Sequence, residues 1–316
     1  MEKTTVAVMS RISVLIPTFH RPEPVRQLLA SLEQQTLLPN EVLIIDGAPE
    51  SIHHSDYQDI QTFPVRVIQS APGLTKQRNV GVRNATGDIL VFFDDDIVLT
   101  KTFLEEILKV FRQPENQHVG IVFGRILDES LRPNLLQKLH RFGNSVLSYL
   151  FLLPRNGSGY FLPSGFPTFV MNRVTPQLCG CCPGGLTAYR REVFTDFSFD
   201  EKLDRYSYME DDDTAKRVST KWKIFYTPTA NCFHRHAPGG RLDARTVSRM
   251  LVLNHHYLFT KNFLPDFSHR LAHSWSLIGY PLIQLWNLQW QRALGGWDGL
   301  RDIWFHKKSV SLFQHE

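Results

Sequence analysis

The sequence predicts an α/β fold, a mostly parallel sheet flanked by helices, with a helical C-terminal extension. Short apolar runs of strand length alternate with segments of helical periodicity through the first hundred residues, and such alternation implies parallel crossovers. Two of the apolar runs lead into carboxylates, at Asp46 and at Asp94 to Asp96, and open parallel sheets bind ligands at the carboxyl ends of their strands. From Asp243 onward the pattern is mostly helical and rich in tryptophan.

Taken in order, Ile12 to Pro17 is an apolar run of strand length, and Pro22 to Gln35 carries Val25, Leu28, Leu29 and Leu32 at helical spacing. Glu41 to Asp46 is a second strand, and Pro64 to Gln69 a third, stopped by Ala71-Pro72-Gly73. Leu74 to Ala85 reads as a helix closed by the turn pair Thr86-Gly87. Ile89 to Phe93 is a fourth strand, and Thr100 is expected to cap a helix running through Phe111. After Gly124 the pattern is less regular, and the Gly/Pro/aromatic stretch from Gly157 to Pro167 is expected to form a long substrate loop. There is no internal repeat and no low-complexity tract.

The chain has 316 residues, 42% hydrophobic and 21% charged, which excludes a disordered or fibrous protein. A formal net charge of +4 demands no polyanion, so nucleic acid is not an expected partner. Cys179, Cys181, Cys182 and Cys232 are too few and too clustered for a secreted disulfide framework, and their spacing does not make an ordinary zinc site. Met1-Glu2-Lys3 leads into only a five-residue run, Val6 to Ser10, so no signal peptide is expected and a cytoplasmic location is favoured.

The Asp94-Asp95-Asp96 cluster carries the most chemistry. Three adjacent carboxylates at the end of an apolar strand repel one another and are costly to bury unless a cation or hydrogen-bond donors compensate. Mg²⁺ or Mn²⁺ held by one or two of them would complete its shell with phosphate oxygens, which suits a nucleotide diphosphate. The alternative is a solvated acidic cap for the following helix, for which one residue would suffice. The second cluster, Glu210 to Asp213, follows the aromatic stretch Tyr206 to Met209 and opens a helical pattern. Two explanations stand equal on the residues alone. Anions oppose the dipole at a helix start, and an aromatic surround holds a carboxylate near the pKa of a general base.

These segments, with the start Ile12 to Arg21, the stretch Gly73 to Gly81 and the run Cys182 to Glu192, resemble in order the motif set of family 2 glycosyltransferases over residues 12 to 240. The resemblance implies a Rossmann-like GT-A fold and inverting transfer of a sugar from a nucleotide diphosphate donor to an acceptor hydroxyl. It implies a catalytic domain over residues 1–242, with a nucleotide-binding half at about 10–125 and an acceptor half at about 126–242, and leaves 243–316 as the extension. Pro17, Thr18 and Arg21 would lie under the nucleotide, Asp46 would accept a hydrogen bond from its base, and Arg78 would approach the base or diphosphate. Asp94 would address the ribose and Asp96 the metal, with Asp95 between them. Asp211 would be the base that deprotonates the acceptor, with Glu210 one position away as the alternative. Gly184 and Gly185 would let the backbone approach donor and acceptor. His234 stands where relatives carry a histidine near the diphosphate and metal. His236 is the alternative, but alternation along Ala230, Cys232 and His234 puts His234 on one strand face. Asp200, Glu201 and Arg205, before the acidic cluster, are expected to serve structure.

The expected partners are a nucleotide diphosphate-sugar, by default a UDP-sugar, and a polysaccharide, lipopolysaccharide or lipid-linked acceptor. A sugar-1-phosphate nucleotidyltransferase would carry a Gly-rich phosphate loop where Pro17-Thr-Phe-His-Arg-Pro22 stands, and a non-catalytic sugar-nucleotide-binding protein would not need the second acidic cluster. Between Arg270 and Arg292 there is no charged Asp, Glu, Lys or Arg, and Leu271, Trp275, Ile278, Leu282, Leu285 and Trp286 form an apolar helical stripe. His273, Pro281 and the glutamines make it a poor membrane span. It is either a helix packed on the catalytic domain or at a dimer contact, or an interfacial helix; peripheral association with the inner face of the cell membrane is the expectation adopted.

Overall fold

The computed structural model describes residues 10–49, 54–127, 135–170, 173–203, 206–235 and 242–306. Its strands are β1 (Ile12–Thr18), β2 (Glu41–Asp46), β3 (Val65–Gln69), β4 (Ile89–Phe93), β5 (Ile97–Leu99), β6 (Val119–Leu127), β7 (Arg155–Asn156), β8 (Thr168–Phe169), β9 (Gln177–Cys179), β10 (Leu186–Arg190) and β11 (Lys223–His234). The helices are α1 (Pro22–Glu33), α2 (Leu74–Asn84), α3 (Phe103–Arg112), α4 (Leu135–Leu150), α5 (Glu210–Val218), α6 (Ala244–Asn262), α7 (Phe267–Trp286) and α8 (Trp290–His306). The N-terminal residues 1–9, Arg205 and His236 lie outside the described residues.

Nine strands form one sheet in the order β3-β2-β1-β4-β10-β6-β11-β5, with β9 paired to β11. The first four strands are parallel, β10 runs antiparallel between β4 and β6, and β11 is parallel to β6. Every residue of β1, β2 and β4 is buried, as helices on both faces require. Alternate side chains serve opposite faces: Val14, Ile16, Val42, Ile44 and Val91 pack with Leu28 and Phe103, while Leu15, Leu43, Ile45, Leu90 and Phe92 pack with Tyr189 and Phe199. The register aligns Thr18 with Asp46 and Asp46 with Gln69, so the carboxyl ends of β1, β2 and β3 lie level. The four cysteines are buried thiols, Cys232 in the first of these cores and the other three in the second.

Two expectations are corrected here. Thr100 does not cap α3; its hydroxyl donates to the Asn231 carbonyl at 2.8 Å, because the short strand β5 pairs with β11 and draws Thr100 to the sheet edge, leaving Thr102 at the N-cap. The stretch Gly157 to Pro167 does not line the cavity at the carboxyl ends of β1 and β4, which takes Phe169 from this region. It is packed beneath the C-terminal helices, where Phe166 stacks on His255 with centroids 3.5 Å apart and His273 Nδ1 lies 3.2 Å from the Ser164 carbonyl. Gly165 has φ +85°, and a Cβ there would lie 2.7 Å from the Phe259 ring, so glycine is required by both conformation and space. Phe151, Phe166, Leu203 and Met209 share one hydrophobic cluster with Leu251, Val252, Leu277 and Leu300. The extension is thereby welded to the segment that introduces the acidic helix.

Candidate active site

A cavity of about 830 Å³ opens at the carboxyl ends of β1 and β4 and is walled on its far side by the start of α5. Pro17, Thr18, Arg21, Arg78, Asp94, Asp95, Asp96, Gly184, Gly185, Glu210, Asp211 and His234 all line it. Among the described residues expected to hold donor, metal or acceptor, Asp46 is not on its wall. Asp46 is fully buried, and its Oδ1 accepts from the amides of His20 and Ala48, both at 3.1 Å. These two bonds shape the turns after β1 and β2. Asp46→Ala is expected to cost about 1–3 kcal/mol of stability, read as a lowered urea midpoint, because two amides lose their acceptor.

The three aspartates point in three directions. Asp94 faces the cavity, its side chain 42% exposed, with one oxygen 3.9 Å from Arg78 Nη2. Asp95 is buried: Thr18 Oγ1 donates to it at 2.7 Å and Arg21 Nη1 at 2.5 Å. Burial raises its pKa to about 6 against the pull of both donors. It ties the loop after β1 to the turn after β4. Asp96 Oδ1 lies 3.4 Å from His234 Nε2, and Arg21 Nη2 stands 3.5 Å from the other oxygen. His234 reaches Asp96 because β11 pairs antiparallel with β5, placing His234 opposite Ile97.

The four acids of α5 are sorted by their partners. Glu210 forms a close ion pair with Arg78, and its second oxygen, Oε2, is buried with no hydrogen-bond partner among the described residues. Arg78 is itself buried, with its guanidinium 5.7 Å from the Phe92 ring centroid and 5.5 Å from that of Phe199. Asp213 turns the other way, accepting from Lys261 Nζ at 2.9 Å and Asn262 Nδ2 at 2.7 Å, both at the end of α6. Asp212 is buried, and desolvation with its acidic neighbours pushes it far above the carboxylate range. Asp211 is half-buried in the cavity wall and makes no ion pair with any described residue. Burial raises its pKa, opposed by the Arg78 charge. The loop ahead of α5 is strained, with Ser207 and Met209 in the left-handed region at φ 46° and 71°.

The two glycines line the cavity and also make room for its acids. A Cβ on Gly184 would strike Glu210 and come within 3.0 Å of Arg78, and one on Gly185 would strike Asp94. What they admit is thus the acidic side chains of the site. Sequence reasoning also passed over Gln77 and Asn79, which flank Arg78. Gln77 Nε2 donates to the carbonyls of Thr18 and Ile45 at 2.6 and 2.7 Å. Asn79 exchanges hydrogen bonds with the Phe199 backbone and reaches Glu201 at 2.8 Å. Asp200 is held by Lys261 and Tyr257. A run of amides on one buried helix turn is the signal that would have found the first two.

Among the described residues no three His, Cys, Asp or Glu side chains converge closely enough to enclose a metal ion. The donor set that does converge, an Asp96 oxygen beside an imidazole nitrogen with Asp94 facing the same space, fits a hard or borderline divalent ion such as Mg²⁺ or Mn²⁺ that takes its remaining ligands from substrate oxygens.

Comparison with known proteins agrees with this geometry. Among curated relatives, a Haemophilus influenzae protein named as an uncharacterized glycosyltransferase is 36% identical over 107 residues, which is 33% of this chain and 36% of that one. The Bacillus subtilis glycosyltransferase YwdF is 32% identical over 112 residues, 34% of this chain and 41% of the relative. The matched stretches therefore span only about two fifths or less of these relatives. Among solved structures, the mannosyltransferase PcManGT of Pyrobaculum calidifontis, in complex with GDP-Man and Mn²⁺, superposes with a TM-score of 0.56 at 15% identity, covering 93% of this chain and 87% of that one. TarS 1-349 of S. aureus gives 0.55 at 15% identity, with coverage of 88% and 73%. These likenesses establish the GT-A fold. A family model described as glycosyl transferase family 2 matches residues 13–197, from β1 through β10 and short of the acidic helix. Because that match takes in more than half of the chain, including the cavity residues from Pro17 to Gly185, the chain belongs to glycosyl transferase family 2.

Proposed function

We propose that the protein is an inverting, metal-dependent glycosyltransferase that moves a sugar from a nucleotide diphosphate donor to an acceptor hydroxyl. The observation that carries this reading is the presence on one cavity wall of Asp94, Asp96 and His234, and on the facing wall of a half-buried, unpaired Asp211. Residues 1–242 would form the catalytic part, with the nucleotide in the half spanning about 10–125.

In this reading Asp96 and His234 hold the divalent ion and Asp94 receives the ribose. The bound ion would neutralise charge on the leaving diphosphate. Thr18 and Arg21 keep Asp95 from competing for it by occupying both carboxylate oxygens. Arg78 holds Glu210 and Asp94 apart and lends positive potential to the donor end of the cavity. Asp211 takes the proton of the acceptor hydroxyl as its oxygen bonds to C1 and the C1–diphosphate bond breaks on the opposite face. One displacement inverts the anomeric centre and needs no carboxylate nucleophile.

A lipid-linked glycan is the acceptor class favoured. A relative 28% identical over 126 residues, from Campylobacter jejuni, is named a GalNAc(5)-diNAcBac-PP-undecaprenol beta-1,3-glucosyltransferase, although the match spans 40% of that protein. Solved structures of similar fold carry GDP-Man in one case and UDP-GlcNAc in another, so a UDP-sugar is the first donor to try and a GDP-sugar the second. Melting temperature with a panel of nucleotide sugars, with and without Mn²⁺, tests the donor, since a ligand at about 100 times its Kd stabilises by about 2.7 kcal/mol. Asp96→Ala is expected to abolish the Mn²⁺-dependent part of that shift while retaining the fold. Pyrophosphate release from a nucleoside triphosphate would instead indicate a nucleotidyltransferase, and binding without transfer a non-catalytic protein.

A further inference from the structure

Helices α4, α7 and α8 each have two apolar faces. The inward face of α7, with Leu277, Tyr280 and Ile283, lies in the core it shares with Phe151 and Leu203. Its outward face carries Leu271, Trp275, Leu282 and Trp286, all exposed and all on the stripe read from the sequence. That stripe stays exposed although Trp275 also packs on the core residue Phe151, with ring centroids 5.1 Å apart. On α4 the exposed residues Phe142, Val146, Tyr149 and Leu150 recur at helical spacing. The two faces adjoin: Trp275 Nε1 donates to the Leu150 carbonyl at 2.8 Å, and the Trp286 ring would lie 3.3 Å from a Cβ on Gly143. The turn into α8 continues the surface with Leu288 and Trp290, both exposed.

We infer that this surface lies on an anionic lipid bilayer. Neither α4 nor α7 contains an Asp or Glu, whereas they carry Lys138, Arg141 and Arg270. The acids of α8 are already engaged, Asp298 with Arg245 and Asp302 with Arg249. An apolar strip bordered by cations complements acyl chains bordered by anionic headgroups. Five of the six tryptophans sit on α7 and α8, each 39–63% exposed, and indole favours the headgroup boundary. No described helix is long and apolar enough to cross a membrane, so the helices lie in its plane. A second copy of this chain fits less well, because a self-complementary contact would bring together two copies of a patch whose helices α4 and α7 carry cations and no acids.

The inference does not depend on the donor chemistry, and its test is run without substrate. The full chain is floated with phosphatidylcholine vesicles containing about 30 mol% phosphatidylglycerol, and with phosphatidylcholine alone. It is expected to float with the anionic vesicles at low salt and to bind about tenfold more weakly in about 0.5 M NaCl. Lys138→Glu and Arg141→Glu, both at exposed positions, should each lower binding by about tenfold at unchanged melting temperature. Brominated phosphatidylcholine mixed into the anionic vesicles should quench most of the tryptophan emission. A chain that stays unbound at low salt, or one whose dimerisation without lipid is weakened by Phe142→Ser and unaffected by vesicles, overturns the inference.

Discussion

Asp211→Asn is expected to lower kcat by a factor on the order of 10² to 10⁴ while leaving donor affinity near that of the parent chain. The amide keeps the shape of the carboxylate and removes its ability to take a proton. Its effect should fall on turnover because Asp211 stands across the cavity from Asp96 and His234 and forms no ion pair with a described residue. Glu210→Gln offers the control: it disturbs Arg78 and should impair stability together with turnover. The pH profile gives a second reading. Burial raises the pKa of Asp211, and the base works only when deprotonated. The acid limb of kcat should therefore lie above the ordinary carboxylate range near 4, with the rate falling as pH falls through it. An Asp211→Asn enzyme with full turnover would remove the assignment.

Arg78→Met is expected to destabilise the protein by about 3–5 kcal/mol, the usual cost of stripping one partner from a buried pair. The methionine fills space between Phe92 and Phe199, so the loss measures charge more than packing. Arg78→Lys should recover little, because one ammonium does not span Glu210 and Asp94 as the guanidinium does. The deficit should also depend on pH with a definite sign. Burial raises the pKa of Glu210 and the Arg78 charge lowers it, so losing Arg78 raises it further. The folded variant then holds a proton that the unfolded chain, with a carboxyl near 4.3, releases. Its stability therefore falls as pH rises from the unfolded value toward the raised folded one, and denaturant midpoints at pH 5 and pH 8 should differ more in the variant than in the parent.

The strands β1, β2 and β4 were legible because they are buried on both faces. Ile12 to Pro17, Glu41 to Asp46 and Ile89 to Phe93 are continuous apolar runs with clear stops, and the observed strands begin at the same residues. The strands β5 and β9 were not legible, since three residues each carry no periodicity and both owe their order to β11. The same pairing with β11 moved Thr100 from its expected cap. At the site, the carboxylates could be found from the sequence but not sorted. Which of Glu210, Asp211 and Asp213 faces a cation is decided by Arg78 and Lys261, far away along the chain. The position of Asp46 at a strand end was legible, but its bonds to two local amides were not, since they depend on the turns after β1 and β2. The apolar stripe of α7 was seen, yet only the packing of Tyr280 and Ile283 reveals that the stripe is the face left over.

The bond between Arg78 and Glu210 also joins positions 132 residues apart, and it has company: Asn79 meets Phe199 across 120 residues and Thr75 meets the Leu203 carbonyl across 128. Three side chains on one short helix thus wait on a stretch that leaves the ribosome long after them. Until it arrives, α2 would have to keep a cation and an amide inside a half-built core with no partner, a cost that withholds stability from the early fragment. The loop to be closed is long, so closure comes late and slowly. The cleft is therefore expected to close late in folding, and loss of the cleft and loss of the sheet should appear as a single cooperative transition when unfolding is followed by nucleotide binding and by circular dichroism together.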